Sequence, residues 1–207
     1  MKMEQALALQ VDQDRCDFFK YYSYERADFL GAGCCAAVYK AKFLRETKRD
    51  FTGEIVVKVH ECSDSPKLEA ARSEQSKLDK LKDCALINKK IAYFEDLSIG
   101  KAYLVLEYAG EKNLSTFVEE RTVAGRKLDY VEVEQLTHQL LRAVLHCHGA
   151  KIAHRDLRPD NLVVSQSEDG VEMSLKLIDF NVAWDLEKSE QIQGSTGVKE
   201  WSAPEMY

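Results

Sequence analysis

Proline is scarce, with 3 in 207 residues; that is too few for a proline-rich linker, and no internal repeat or low-complexity tract takes its place. Long apolar runs are missing as well. No segment approaches the ~18 apolar residues a membrane span needs. The opening MKMEQALALQVDQDRCDFFKYY carries too short an apolar stretch for a secretory signal. A cytoplasmic protein with no membrane partner is therefore expected. There is no basic excess, since 29 Lys and Arg stand against 35 Asp and Glu for a net charge of -6. With a pI near 5.5, the chain lacks the clustered cations that a nucleic-acid surface uses to neutralise phosphates.

The 6 cysteines (Cys16, Cys34, Cys35, Cys62, Cys84, Cys147) form no C-x-x-C pair. They are expected to act as small buried hydrophobes in a reducing compartment rather than as metal ligands. His146-Cys147-His148 gives no site on a helix either, because ligands two apart diverge whereas i and i+4 share a face.

What is present is a soluble globular composition, 45% hydrophobic and 31% charged. The first half reads as sheet: DFLGAGCCAAVYKAKF is two extended runs about a glycine turn, followed by GEIVVKVHE, KKIAYFED and KAYLVLEYAG. Five strands are expected. Between them Ser65 as N-cap and Pro66 at the first helical position open a helix to about Lys82. Its stripe Lys67, Ala71, Glu74, Leu78, Leu81 puts a carboxylate among apolar residues. Further on, Asp129 and Glu132 form a capping-box pattern before a helix with the stripe Val133, Leu136, Leu140, Val144 and a stop at Gly149. A strand-rich lobe and a helical lobe joined near Tyr108–Leu114 would leave a ligand-binding cleft.

In chain order stand GAGCCAAVYK, VVK ending at Lys58, Glu74, LVLEY, HRDLRPDN (His154 to Asn161), DFN (Asp179 to Asn181) and APE (Ala203 to Glu205). Taken together this series resembles the eukaryotic-type protein kinase family, over about Asp28 to Tyr207. The resemblance implies an α+β, two-lobed protein-kinase-like fold. Its N-lobe would be a five-stranded antiparallel sheet with one main helix, and its C-lobe mainly helical but incomplete. Residues 1–23 would be an N-terminal extension and 24–207 the domain, divided into 24–108 and 109–207.

It also implies ATP and Mg²⁺ as cofactors and serine or threonine hydroxyls of a protein substrate as acceptors. Gly31 and Gly33 would let the backbone close over the phosphates, and Lys58, held by Glu74, would meet the α and β phosphates. Val38, Val56 and Val163 would sandwich adenine, with Leu106 behind it and the Glu107 carbonyl and Ala109 N–H at its edge. Asp156 would accept the substrate proton, and Asn161 and Asp179 would hold Mg²⁺. Arg158 would offer positive charge to the transferring phosphate, and Arg155 would pair with a phosphate on Ser195 or Thr196. Asn113 stands where the family often contacts ribose, and is equally a turn residue.

The pattern departs from the family at Ala36 (third glycine), Arg158 (usually lysine), Asn181 (usually glycine) and Val198 (usually threonine). A turn after Asp179 is expected to need an unusual φ that asparagine reaches more readily than most residues. The family's C-terminal lobe continues with further helices beyond the APE motif, so a fragment with exposed apolar surface is expected. The alternative reading is a pseudokinase-like binding module with little turnover. The oligomeric state stays open.

Overall fold

The computed structural model describes residues 16–33, 36–44, 51–167, 171–188 and 199–201. The chain divides into two compact units, Met1–Ala71 with Lys90–Tyr108, and Arg72–Lys89 with Ala109–Tyr207.

The first unit is an antiparallel sheet made from the β-branched and aromatic runs, as strand propensity dictates. Its strands are β1 (Tyr22–Ser23), β2 (Phe29–Ala32), β3 (Ala36–Phe43), β4 (Ile55–Glu61), β5 (Lys90–Asp96) and β6 (Lys101–Glu107), in the order β1-β3-β4-β6-β5 with β2 also on β3. The expected five strands are all there, and the two-residue β1 joins them at Phe43 and Lys42. Side-chain alternation divides the central strands between two faces. On one face Ile55, Val57, Val59, Tyr103 and Val105 form a core with Phe18 and Tyr22. Phe18 belongs to a one-turn helix, α1 (Phe18–Tyr21), within the segment expected to be an extension. It is fully buried, stacking on Tyr103 at 4.6 Å between ring centroids and on Tyr22 at 5.5 Å. The other face carries Val56, Lys58 and His60, all buried.

Helix α2 (Ser65–Lys80) begins in the first unit, where Ala71 packs with Cys62 and Ala102, and passes into the second at Arg72. Its cap is Asp64 rather than Ser65: the carboxylate accepts the Lys67 N–H at 2.9 Å. The stronger acceptor wins the orphan donors of the first turn. Hydrogen bonding from that N–H, chiefly, holds the Asp64 carboxyl below its ordinary value. Ala71, Glu74, Leu78 and Leu81 are buried as the stripe predicts, whereas Lys67 is exposed and Lys77 is buried instead.

The second unit contains α3 (Leu114–Val123) and α4 (Tyr130–Gly149). It also has short strands that helical periodicity did not reveal: β7 (Lys112–Asn113), β8 (Ile152–Ala153), β9 (Leu162–Gln166), β10 (Met173–Leu177) and β11 (Trp184–Asp185). Asn113 caps α3, accepting the Thr116 N–H at 2.9 Å. The expected capping box of α4 is formed in both directions between Asp129 and Glu132. Glu132 also takes an Arg121 N–H at 2.6 Å, the leading cause of a carboxyl held below its ordinary value. Helix α4 ends at Gly149 as expected, but the left-handed residue that turns the chain is Lys151, at φ 60°.

The buried line of α4 is Glu132, Leu136, Ala143 and Cys147; of the expected stripe Leu136 is buried, Leu140 and Val144 are half-buried, and Val133 is exposed. The displacement has a cause in hydrogen bonding. Gln135 and Gln139, one turn apart, face the edge of β10 and stand in for a neighbouring strand. The Gln135 side-chain Oε1 accepts Met173 N–H at 2.8 Å; the Gln139 side chain accepts Leu175 N–H at 2.9 Å through Oε1 and donates to the Met173 carbonyl from Nε2 at 2.7 Å. An unpaired strand edge is thereby satisfied. Gln139→Leu is expected to lower stability by about 1–3 kcal/mol, the cost of stranding buried backbone groups. A urea midpoint equal to that of the parent chain would refute this account. Tyr130, Leu141 and Leu145 lie exposed on the opposite side of α4.

Candidate active site

In the first unit, strand register brings several predicted nucleotide contacts onto one face. Gly31 pairs with Val38, Val38 with Lys58, and Lys58 with Leu104, while Lys40, Val56 and Leu106 form the next row. Directly opposed residues share a face, so Gly31, Val38, Val56, Lys58 and Leu106 lie together opposite the Phe18 core. A Cβ built on Gly31 or Gly33 would meet nothing within 4 Å, and neither residue has a left-handed φ. No described part of the chain requires glycine there; the open space suits a group approaching from outside. At the end of β6 the Tyr108 N–H is committed to the Glu54 carbonyl at 2.8 Å. Glu107, one residue earlier, is buried. Ala109 begins the second unit, where Val163 lies buried in β9 and its Cγ1 would come within 3.0 Å of a Cβ on Gly110. Gly110 has φ +139°, which a side chain rarely adopts.

The second unit holds the HRDLRPDN loop between β8 and β9. His154 is buried, its Nε2–H donating to the Ile178 carbonyl at 3.0 Å and its Nδ1 accepting the Asp156 N–H at 3.3 Å. These partners fix the neutral tautomer. Burial, the main cause, pushes the imidazole below its usual value against the pull of the Ile178 carbonyl, Asp179 and Asp156. The ring packs edge-on to Phe180 at 4.7 Å. Asp156 is thus held by its backbone, and its side chain is held too: Asn161 Nδ2 donates to Asp156 Oδ2 at 2.7 Å and to its carbonyl at 2.8 Å. The remaining oxygen, Oδ1, is buried and has no hydrogen-bond partner. An orphaned buried acceptor is costly.

With both Asn161 bonds made from nitrogen, its Oδ1 is the atom left for a cation. Asp179 offers a carboxylate on the segment after β10, with φ 64°. The left-handed residue here is Asp179 itself, and Asn181 lies outside that region, which corrects the expectation for the turn. Arg155 likewise has φ 68°, and such strained positions persist where surrounding bonds over-determine them. Among the described residues no group of three or more His, Cys, Asp or Glu could enclose a metal. A carboxylate with one amide oxygen fits Mg²⁺, which takes few protein ligands and completes its shell with water and substrate phosphates.

Arg158 is engaged within its own loop: Nε donates to Asp160 Oδ2 at 2.8 Å and Nη2 to the same oxygen. Arg155 places its guanidinium over Trp184, 5.4 Å from the ring centroid. Ser195, Thr196, Val198 and the APE motif lie outside the described residues. Lys58 and Glu74 fall in different units; Glu74 is buried in the unit that also contains Asp156, Asn161 and Asp179. Motif reading passed over Lys77, Lys80, Asp160, Trp184 and Asp185. The spacing Glu74, Lys77, Lys80 along one helix was the available signal.

The family described as protein kinase domain matches residues 24–207. Serine/threonine-protein kinase MPS1 of Saccharomyces cerevisiae is 30% identical over 164 residues, covering 77% of this chain and 19% of that protein. Cyclin-dependent kinase 1 of Encephalitozoon cuniculi is 29% identical over 160 residues, 77% of this chain and 50% of that protein. Serine/threonine-protein kinase plk-2 of Caenorhabditis elegans is 27% identical over 192 residues, 88% of this chain and 27% of that protein. The chain thus spans half or less of the length of these relatives. Among the described residues no helix is long and apolar enough to cross a membrane.

Proposed function

We propose that this chain, which belongs to the protein kinase family, binds ATP with Mg²⁺ and transfers the γ-phosphoryl group to a serine or threonine hydroxyl of a protein substrate. The observation that carries the reading is the Asp156 carboxylate, with Oδ2 held by Asn161 and Oδ1 buried without a partner. The serine/threonine specificity follows the relatives named above and the proline at Pro159.

Phosphoryl transfer demands in-line positioning and charge neutralisation more than covalent help. The substrate oxygen attacks the γ-phosphorus, the bond from that phosphorus to the β,γ-bridging oxygen breaks, and ADP leaves with the electron pair. The hydroxyl proton passes to Asp156 Oδ1. Asn161 Oδ1 and the Asp179 carboxylate would hold Mg²⁺, which neutralises charge on the phosphate oxygens. In the first unit Gly31, Gly33, Val38, Val56, Lys58, Leu106 and Glu107 are proposed as nucleotide contacts, and in the second Ala109 and Val163, with Glu74 as a charge-balancing residue. Arg155 is proposed to receive a phosphate carried on Ser195 or Thr196. A cytoplasmic site of action accords with this chemistry.

Thermal denaturation of the chain with ATP, with and without Mg²⁺, tests the binding half. A ligand held only by the folded state at one hundred times its Kd adds about 2.7 kcal/mol. A midpoint that rises with ATP and rises further with Mg²⁺ is expected, and no change at millimolar nucleotide would sink the proposal. The Arg158 bond to Asp160 favours a second reading, nucleotide binding with little turnover. Binding without phosphate transfer in the same samples would select it.

A further inference from the structure

Helix α2 carries two lysines beyond Glu74, and both reach the segment that follows Asp179. Lys77 is buried, with Nζ 3.4 Å from the Phe180 carbonyl. Lys80 Nζ donates to Asp185 Oδ2 at 2.9 Å and to Glu187 Oε2 at 2.6 Å. Residues three apart share a helix face, so one face of α2 meets Phe180 through one lysine and Asp185 with Glu187 through the next. Both lysines also lie in the last turn, where cations favour the negative end of the helix dipole.

The acceptor side is itself anchored. Asp185 is buried and belongs to β11, paired with Ile152 of β8, while Leu186 N–H donates to the Lys151 carbonyl at 2.8 Å. Strand β8 runs directly into His154, Arg155 and Asp156. A buried carboxylate deprived of its partner leaves an uncompensated charge, so the Lys80–Asp185 bond is costly to open. Burial alone would raise the Asp185 carboxyl, yet hydrogen bonds from Lys80 and the Glu187 N–H, with the charges of Lys80 and Lys188, hold it below its ordinary value. Burial likewise depresses the Lys77 ammonium to about 8, opposed by Glu74 and Asp185 and reinforced by Lys188 and Arg155. Each shift accords with the same set of neighbours.

We propose that Lys77 and Lys80, with Asp185 as their buried anchor, act as positioning residues that clamp the Glu74-bearing part of α2 to the Asp179 segment and to β8. Glu74, Asp179 and the start of the catalytic loop are thereby placed as one body. The division of the chain agrees, because α2 from Arg72 onward belongs to the same compact unit as these elements. The catalytic part of this inference rests on the kinase reading; the clamp itself does not.

The test uses the full chain without nucleotide, carrying Lys80→Ala, Asp185→Asn or Lys77→Met, with Lys80→Arg as the conservative variant. The Lys80 side chain is 31% exposed against 5% for Asp185, so Lys80→Ala keeps the experiment interpretable if Asp185→Asn fails to fold. Amide hydrogen exchange over residues 72–80 is expected to quicken about tenfold in Lys80→Ala and Lys77→Met. Amides of β3 and β4 should be unchanged and Lys80→Arg close to the parent. Unchanged exchange over 72–80 in both Lys80→Ala and Lys77→Met overturns the clamp, whatever the activity. With Mg·ATP and a protein substrate, Lys80→Ala should lower kcat while KM for ATP stays within about twofold, the pattern of misplaced groups rather than lost binding. Quickened exchange with kcat intact would refute the positioning role. A parent chain that binds no Mg·ATP would instead refute the kinase reading and leave the exchange result standing.

Discussion

Asp156→Ala is expected to reduce kcat/KM for phosphoryl transfer by roughly 10²–10⁴-fold, the range a positioned general base contributes, with the ATP affinity of the chain nearly unchanged. Three bonds prepare this carboxylate. His154 Nδ1 takes its backbone N–H, and Asn161 grips both its carbonyl and Oδ2. None of them uses Oδ1, which stays buried and unpartnered. Truncation relieves the desolvation of the unpartnered Oδ1 but takes from Asn161 the Oδ2 acceptor at 2.7 Å; the two effects oppose each other, so a melting midpoint close to that of the parent is expected. That combination distinguishes function from folding: a structural aspartate would lose stability when truncated, whereas a functional one trades stability for reactivity. Kinetics and thermal denaturation on the same preparation decide it. Turnover that persists at the parent rate in Asp156→Ala would remove Asp156 from the chemistry.

The parts of the site that local chain geometry controls are legible in the sequence. HRDLRPDN is one loop, and the step from Asp156 to Asn161 is short enough that backbone connectivity alone brings the two side chains together. The sheet face carrying Val38, Val56, Lys58 and Leu106 follows from strand alternation once the register is known. Glu74 was legible because a carboxylate on an apolar stripe demands an explanation. Lys77 was not, since a helix of period 3.6 can bury a line one residue wider than its apolar stripe when a distant carbonyl accepts the ammonium. The Lys80–Asp185 bond spans a sequence separation of 105, and no local pattern announces such a partner. Hydrogen bonding defeated two further expectations. Gln135 and Gln139 turned toward β10 and carried Val133 outward, and Asp64 outcompeted Ser65 for the first turn of α2. The left-handed φ fell on Asp179 rather than Asn181.

Phe18→Ala is expected to destabilise the chain by about 3–5 kcal/mol, the range for deleting a buried aromatic ring, and to lower the melting midpoint by roughly 6–20 °C at this size. The family match begins at residue 24, so by that boundary Phe18 would be expendable. Packing argues otherwise. Its ring is fully buried against the sheet, stacked on Tyr103 and Tyr22 and edge-on to Phe19 and Phe94. Offset and edge-to-face contacts of this kind add to the area term. The ring covers Val57 and Val105, which lie on β4 and β6 facing away from Lys58 and Leu106. Losing it would loosen the strands that carry the proposed nucleotide contacts without touching any of them. A chain starting at Tyr24 should therefore be less soluble and less stable than one starting at Cys16. Nucleotide binding in Phe18→Ala should weaken only as far as the folded fraction falls. Equal urea midpoints for Phe18→Ala and the parent would show that the aromatic cluster contributes nothing to the fold, and that residue 24 is a true domain boundary.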